Sequence, residues 1–224
     1  SGKDAFCEKP IDTDVTRIKE TLKIVEQEGV KLMVGFNRRF DENFRRLRER
    51  IELGHLGEPH VVKITSRDPA PPPIEYVKVS GGIFMDMTIH DWDMARFIAG
   101  SEVEEVYASG AVLIDPEIGK AGDVDTATAN LKFRNGALGV IDNSRKAVYG
   151  YDQRVEFFGS KGCGIAGNER SSTVEISTVD RIEADKIPYF FLERYKESYE
   201  HEMTHFIQCL MDDKSPRPSG EDGL

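Results

Sequence analysis

From residue 125 to residue 133 the chain alternates strictly. Asp125, Ala127, Ala129, Leu131 and Phe133 fall on one side, and Thr126, Thr128, Asn130 and Lys132 on the other. Successive side chains of an extended strand point to opposite faces, so this stretch is predicted to be a half-buried β-strand. Asn135-Gly136 follows, a pair suited to the positive backbone angles of a tight hairpin turn, and residues 137–143 are the expected return strand. Further strands are expected at 61–65, 104–114, 153–158, 163–166 and 173–177.

Before this region the period changes. Val15, Ile18, Leu22 and Val25 step by helical intervals, with Asp12 or Thr13 able to cap the start and Gly29 the end. Residues 31–36 then form a short apolar strand. Strand, helix and strand within about thirty residues is the size of one βαβ unit. A second helix carries Phe40, Phe44, Leu47 and Ile51 and closes at Gly54, and residues 68–73 are a proline-rich loop. A last helix is expected near 189–212, striped by Leu192, Tyr195, Tyr199, Phe206 and Leu210. The fold class is therefore α+β. A large, mostly antiparallel open sheet with helices on one face occupies 37–224, and residues 1–36 are the strand-helix-strand remnant of a parallel-sheet domain.

The formal net charge of −10 argues against nucleic-acid and anionic-membrane partners. Arginines between 45 and 50 alternate with Phe44 and Leu47 and read as a solvated helix face. Three cysteines stand far apart without a CxxC pair, which fits a reducing, cytoplasmic setting. No apolar run approaches eighteen residues. The chain opens on Ser1-Gly2 without methionine, and it is read as a fragment cut at both ends with Ser1 a cloning scar.

One helix is expected across 83–98, apolar nearly all round, with Asp86 and His90 four residues apart on one face. A carboxylate that orients an imidazole and raises its basicity suits proton transfer. The same pair would equally serve as a satisfied hydrogen bond in a core. Lys9 lies at a strand end, where α/β proteins place ligand contacts, and an ammonium there could stabilise an alkoxide. His201-Glu202-Met203-Thr204-His205 matches HExxH, but His201 points away from the apolar stripe and Glu202 sits among the charges of a solvent face. The motif is read as a chance match, with no metal site. Gly81-Gly82 could let backbone approach a ligand, and the glycines of 159–167 are read as turns and bulges.

Assembled in order, these residues resemble the Gfo/Idh/MocA oxidoreductase family, and within it the inositol dehydrogenases. Glu8-Lys9-Pro10 is similar to the family's EKP motif, and Gly35-Phe36-Asn37-Arg38-Arg39-Phe40 to the segment that enters its second domain. Asp86 and His90 fall on the family's DxxxH pair, and residues 147–153 resemble a later pocket segment. The resemblance implies oxidation of a ring secondary alcohol, such as a cyclitol or sugar, by NAD or NADP. It makes His90 the general base with Asp86 supporting it, and it has Lys9 touch both substrate and nicotinamide beside Glu8 and Pro10. Arg38, Asp68, Tyr149 and Tyr151 would contact substrate hydroxyls or shape the pocket. It also implies a homo-oligomer formed through the sheet face. The family's nucleotide-binding domain precedes EKP by roughly a hundred residues. On that reading this chain is the substrate half of a dehydrogenase, does not bind the cofactor alone and does not turn over alone. The competing readings are a non-catalytic oligomerisation or binding module, and a family member acting on another sugar.

Overall fold

The alternating segments build a six-stranded sheet in the computed structural model, which describes residues 2–224. The expectation about Ser1 lies outside the described residues. The chain divides into two compact units. One runs up to Glu42 and takes in Glu197–Leu224, and the other is Asn43–Lys196. This division differs from the expected 1–36 and 37–224, because the C-terminal helix groups with the N-terminal segment.

In the first unit, β1 (Ala5–Glu8) and β2 (Leu32–Gly35) pair in parallel, with Glu8 opposite Gly35. The helix between them, α1 (Val15–Glu28), is capped by the Asp14 side chain, one residue beyond the expected caps. Gly29 closes it in the left-handed conformation, as its lack of a Cβ allows. Met33, Phe40 and Phe206 form the core here, with Phe6 and Leu210 packed against them.

In the second unit, α2 (Glu42–Glu52, whose first residue belongs to the other unit) leads into β3 (Pro59–Arg67). Three short or broken helices follow, α3 (Ile74–Val77), α4 (Gly82–Asp86) and α5 (Ile89–Ala99). Then come β4 (Val103–Ala111), α6 (Pro116–Lys120), β5 (Thr126–Phe133), β6 (Leu138–Ser144), β7 (Asp152–Gly159) and β8 (Gly162–Ala166). The sheet order is β4-β5-β6-β3-β7-β8. Every pairing is antiparallel except β3 with β6. Val62, Ile64, Ala127, Ala129, Leu131, Phe133, Ile141, Val155 and Phe157 fill the buried face, and α5 lies against β3 there. Thr128, Asn130, Lys132 and Phe158 stay exposed on alternate positions. The pattern read from 125–133 thus builds the inner face as expected.

Several elements depart from the sequence reading: α3 and α6 were not foreseen, and Phe40, expected in the second helix, lies in a 3₁₀ turn, Asn37–Phe40, ahead of α2. An exposed hairpin of β9 (Glu175–Ser177) and β10 (Ile182–Ala184) follows the sheet, and β10 was not foreseen. The expected helix at 189–212 is two pieces, α7 (Phe191–Arg194) and α8 (Lys196–Met211), and Leu192 is exposed rather than part of a buried stripe. The expected helix at 83–98 breaks at Met87-Thr88. There the Thr88 N–H reaches back five residues to the Ile83 carbonyl at 2.9 Å, and its hydroxyl donates to the same oxygen at 3.2 Å. The i→i−4 ladder slips at that point, and α5 restarts with Asp91 N–H bonded to Thr88 O at 2.8 Å.

Candidate active site

The break sets Asp86 at the end of α4 and His90 in the first turn of α5, so the two are not one face of a continuous helix. Both are half-buried. Asp86 is held at each oxygen. Its Oδ1 accepts the Tyr76 hydroxyl at 2.7 Å, and its Oδ2 accepts Arg145 Nη1 at 2.9 Å. Burial, followed by this bond to Asp86, pushes the Tyr76 hydroxyl up to about 12, so Tyr76 remains a donor throughout the neutral range. Asp68 approaches the same guanidinium, with Oδ2 3.7 Å from Arg145 Nη1. Arg145 lies just past β6, buried, where no helical or strand period drew attention to it.

Beneath this cluster runs a second polar network. The fully buried Asp91 accepts Asn143 Nδ2 at 2.7 Å, and Thr88 Oγ1 donates to Asn143 Oδ1 at 2.7 Å. Asn143 Nδ2 also reaches the Ser66 carbonyl at 3.3 Å, and Ser66 Oγ donates to Gln153 at 3.0 Å. These bonds satisfy polar groups inside the sheet's covered face and fix the start of α5 to β3, β6 and β7. Sequence periodicity missed Thr88, Asp91 and Asn143 as a group. The available signal was partial: Asn143 is a polar residue at an inward-facing strand position, whereas Thr88 and Asp91 lie at the start of α5.

Tyr149 is exposed and its hydroxyl donates to Asp152 at 2.6 Å, while Arg67 Nη1 donates to the same hydroxyl at 3.1 Å. Tyr151 is buried edge-on against Tyr195, with ring centroids 5.9 Å apart. Its place is in the packing, 7% exposed against 46% for Tyr149.

In the first unit, Lys9 and Pro10 follow β1, and Arg38 is buried in a short 3₁₀ turn, Asn37–Phe40. Gly35 matters to Glu8. A Cβ at Gly35 would stand 2.6 Å from Glu8 Oε2, so a larger residue there would push the Glu8 carboxyl out of its present place. Burial raises the Glu8 carboxyl above its ordinary value, against the lowering effect of the Lys9 charge.

Glu202 corrects the expectation of a solvent face. It is 1% exposed, and its Oε1 has no hydrogen-bond partner among the described residues. Burial, then the Glu8 charge, pushes its carboxyl up to about 8. His201 is exposed, and His205 Nε2 lies 3.5 Å from Cys209 Sγ. Among the described residues no three His, Cys, Asp or Glu side chains are placed to hold a metal ion together. The glycines also need a correction. Gly162-Cys163-Gly164-Ile165-Ala166-Gly167 does spell GxGxxG, yet its first five residues form β8, antiparallel to β7, and not the strand-to-helix turn that binds a pyrophosphate. At Gly82 the approach left open by the missing Cβ is taken by Asp123, whose Oδ1 would stand 2.8 Å from it and accepts Ile83 N–H at 3.0 Å.

The second unit is thus a sheet covered on one face by helices, with Asp68, Asp86 and Asp123 gathered around Arg145. Residues 44–163 match the GFO/IDH/MocA C-terminal domain. The chain is 56% identical over 221 residues to a myo-inositol 2-dehydrogenase of Thermotoga maritima, covering 99% of this chain and 66% of that protein. It superposes on a myo-inositol dehydrogenase from Corynebacterium glutamicum with a TM-score of 0.93 at 44% identity, covering 98% of this chain and 66% of the other. A scyllo-inositol dehydrogenase from Lactobacillus casei, solved with NAD(H) and scyllo-inositol, superposes with a TM-score of 0.89 at 28% identity, covering 98% of this chain and 66% of the other. The chain belongs to the GFO/IDH/MocA oxidoreductase family. It spans about two thirds of the length of these relatives.

Proposed function

We propose that this chain is the substrate-binding part of an NAD-dependent dehydrogenase that oxidises a secondary hydroxyl of a cyclitol, myo-inositol first. The observation that carries the reading is the Asp86 carboxyl, anchored at both oxygens four residues before His90, in a chain 56% identical to a myo-inositol 2-dehydrogenase. His90 takes the proton of the reacting hydroxyl as general base, with Asp86 supporting the imidazole. Lys9 holds the same oxygen as its charge develops. Asp68, Arg38 and Tyr149 serve the remaining hydroxyls, and Tyr151 shapes the pocket from below. The Glu8-Lys9-Pro10 segment fits the nicotinamide end of a dinucleotide, whereas the one GxGxxG run is a strand and offers no pyrophosphate turn. When bound, NAD accepts the hydride that leaves the carbinol carbon. NADP would serve the same chemistry. About a third of the relatives' length lies outside the match, and the pyrophosphate site is assigned to a part of that kind, so this chain by itself is not expected to turn over.

The partners follow from the same reading: a small polyol and a second copy of the chain. Tyr107, Leu138, Phe158 and Ile165 are exposed on the sheet face that the helices leave uncovered, as a subunit face would require. No helix among the described residues is long and apolar enough to cross a membrane, and the protein is proposed to work in the cytoplasm.

The test is NADH formation by the full-length protein with myo-inositol, scyllo-inositol and glucose. His90→Ala is expected to lower kcat by about 10²–10⁴-fold. Equal rates for wild type and variant, or no rate with any cyclitol, would sink the proposal. Ile165→Lys is expected to shift the protein to a smaller species in light scattering while its melting temperature holds.

A further inference from the structure

The Arg145 guanidinium is 2% exposed and stands among three carboxylates. Nη1 binds Asp86 at 2.9 Å and lies 3.7 Å from Asp68, and Nη2 lies 3.9 Å from Asp123 Oδ2. Tyr76 closes the cluster through the other oxygen of Asp86. Arg145 Nε and Nη2, and Asp123 Oδ2, are buried without a hydrogen-bond partner among the described residues. The backbone fixes this placement. Arg145 N–H donates to Asp125 O at 2.8 Å, Asp68 N–H to Ser144 O at 2.9 Å, and Ala147 N–H to Asp68 O at 2.6 Å. The segments bearing Arg145 and Asp68 are thereby tied together.

Three carboxylates this close repel one another, and burial adds to the cost unless a cation sits between them. A guanidinium presents five donors in one rigid plane and can direct several acceptors at once, which an ammonium does as a point charge only. Arg145 is too buried to be a substrate ligand. It acts on the groups that are.

We propose that Arg145 is the positioning residue of this site: it holds Asp86 in the orientation that supports His90 and sets Asp68 for the substrate, so it governs both rate and polyol affinity. The inference rests on the reading of Asp86, His90 and Asp68 given under the proposed function. Asp123 is the counterweight. It grips the first turn of α4 through Ile83 N–H and keeps the far side of the guanidinium in an acidic field.

The experiment is steady-state kinetics of the full-length protein with NAD and myo-inositol, for wild type, Arg145→Met and Arg145→Lys. Arg145→Met is expected to lower kcat roughly 100-fold, the cost of a misplaced catalytic group. It should also raise KM for inositol about tenfold while KM for NAD stays put, a split that general loosening of the fold would not give. Arg145→Lys should recover at least about tenfold of the lost kcat, because the positive charge returns without the rigid plane. If Arg145→Met folds and keeps its kcat and inositol KM, or if KM for NAD moves with them, the proposal is overturned. Where Arg145→Met does not fold, Arg145→Lys decides. A loss of kcat/KM for inositol beyond about fivefold with an unmoved NAD KM supports the role, and anything else overturns it. A wild type inert with every cyclitol removes the proposed function and this inference together. An active wild type indifferent to residue 145 removes this inference alone.

Discussion

Asp68, Asp86 and Asp123 in the second unit gather round one buried guanidinium, whereas Glu202 in the first unit is buried with Glu8 as its charged influence and, among the described residues, no hydrogen bond to its Oε1. Both regions place carboxyls where water is scarce. One offsets their charge with a cation, and the other with a proton, since burial and Glu8 lift Glu202 to about 8. The difference separates two uses of an acid. An ion-paired carboxyl keeps its geometry across the neutral range, as a proton-transfer site needs. A carboxyl neutralised by a proton ties the stability of its unit to pH.

The comparison breaks most visibly at its cation. Arg145→Met leaves three half-buried carboxylates without their shared cation and is expected to cost about 3 kcal/mol in denaturant unfolding, the lower end of the range for a fully buried pair. An unchanged midpoint would mean that the acids relax into water and the cluster is not a structural unit. The opposite sign is expected in the first unit. Glu202 binds its proton more tightly folded than unfolded, so its contribution is fully present below the unfolded value near 4.5 and is lost as pH rises toward 8. Unfolding measured from pH 5 to pH 8.5 should show stability falling. Glu202→Gln should flatten that fall and exceed wild type at the alkaline end by on the order of a few kcal/mol. A flat wild-type profile would show that Glu202 is ionised at no cost. The smallest effect is expected at Tyr76→Phe, which removes one of two anchors on Asp86. It should cost about 1 kcal/mol of stability and a few-fold in kcat, and a kcat equal to that of wild type would assign the anchoring to Arg145 alone.

Much of the frame was legible in the residues. The alternation of 125–133 and the Asn135-Gly136 turn give β5 and β6 because a half-buried strand must present apolar groups every second residue. Gly29 ended α1 for an equally local reason, its left-handed backbone. Lys9, Asp86 and His90 were legible as candidates through motif resemblance. What misled was any inference that needed three dimensions. Helical spacing put Asp86 and His90 on one face, but Thr88 takes the Ile83 carbonyl with both its N–H and its hydroxyl and splits the helix. Charged neighbours put Glu202 in solvent, but α8 buries it. The glycines of 159–167 read as turns and bulges, but β7 takes 162–166 as a strand partner.

The sequence by itself determined the class of fold, the hairpin core of the sheet and the family, because period, turn residues and motif order are properties of neighbours along the chain. Only the tertiary structure decided that Arg145, fifty-nine residues after Asp86, is its partner, and that Asp68 and Asp123 share the same guanidinium. Those contacts are set by which strands pair and which loops are tied by backbone bonds. Electrostatic energy depends on distance through space, and no local pattern encodes it.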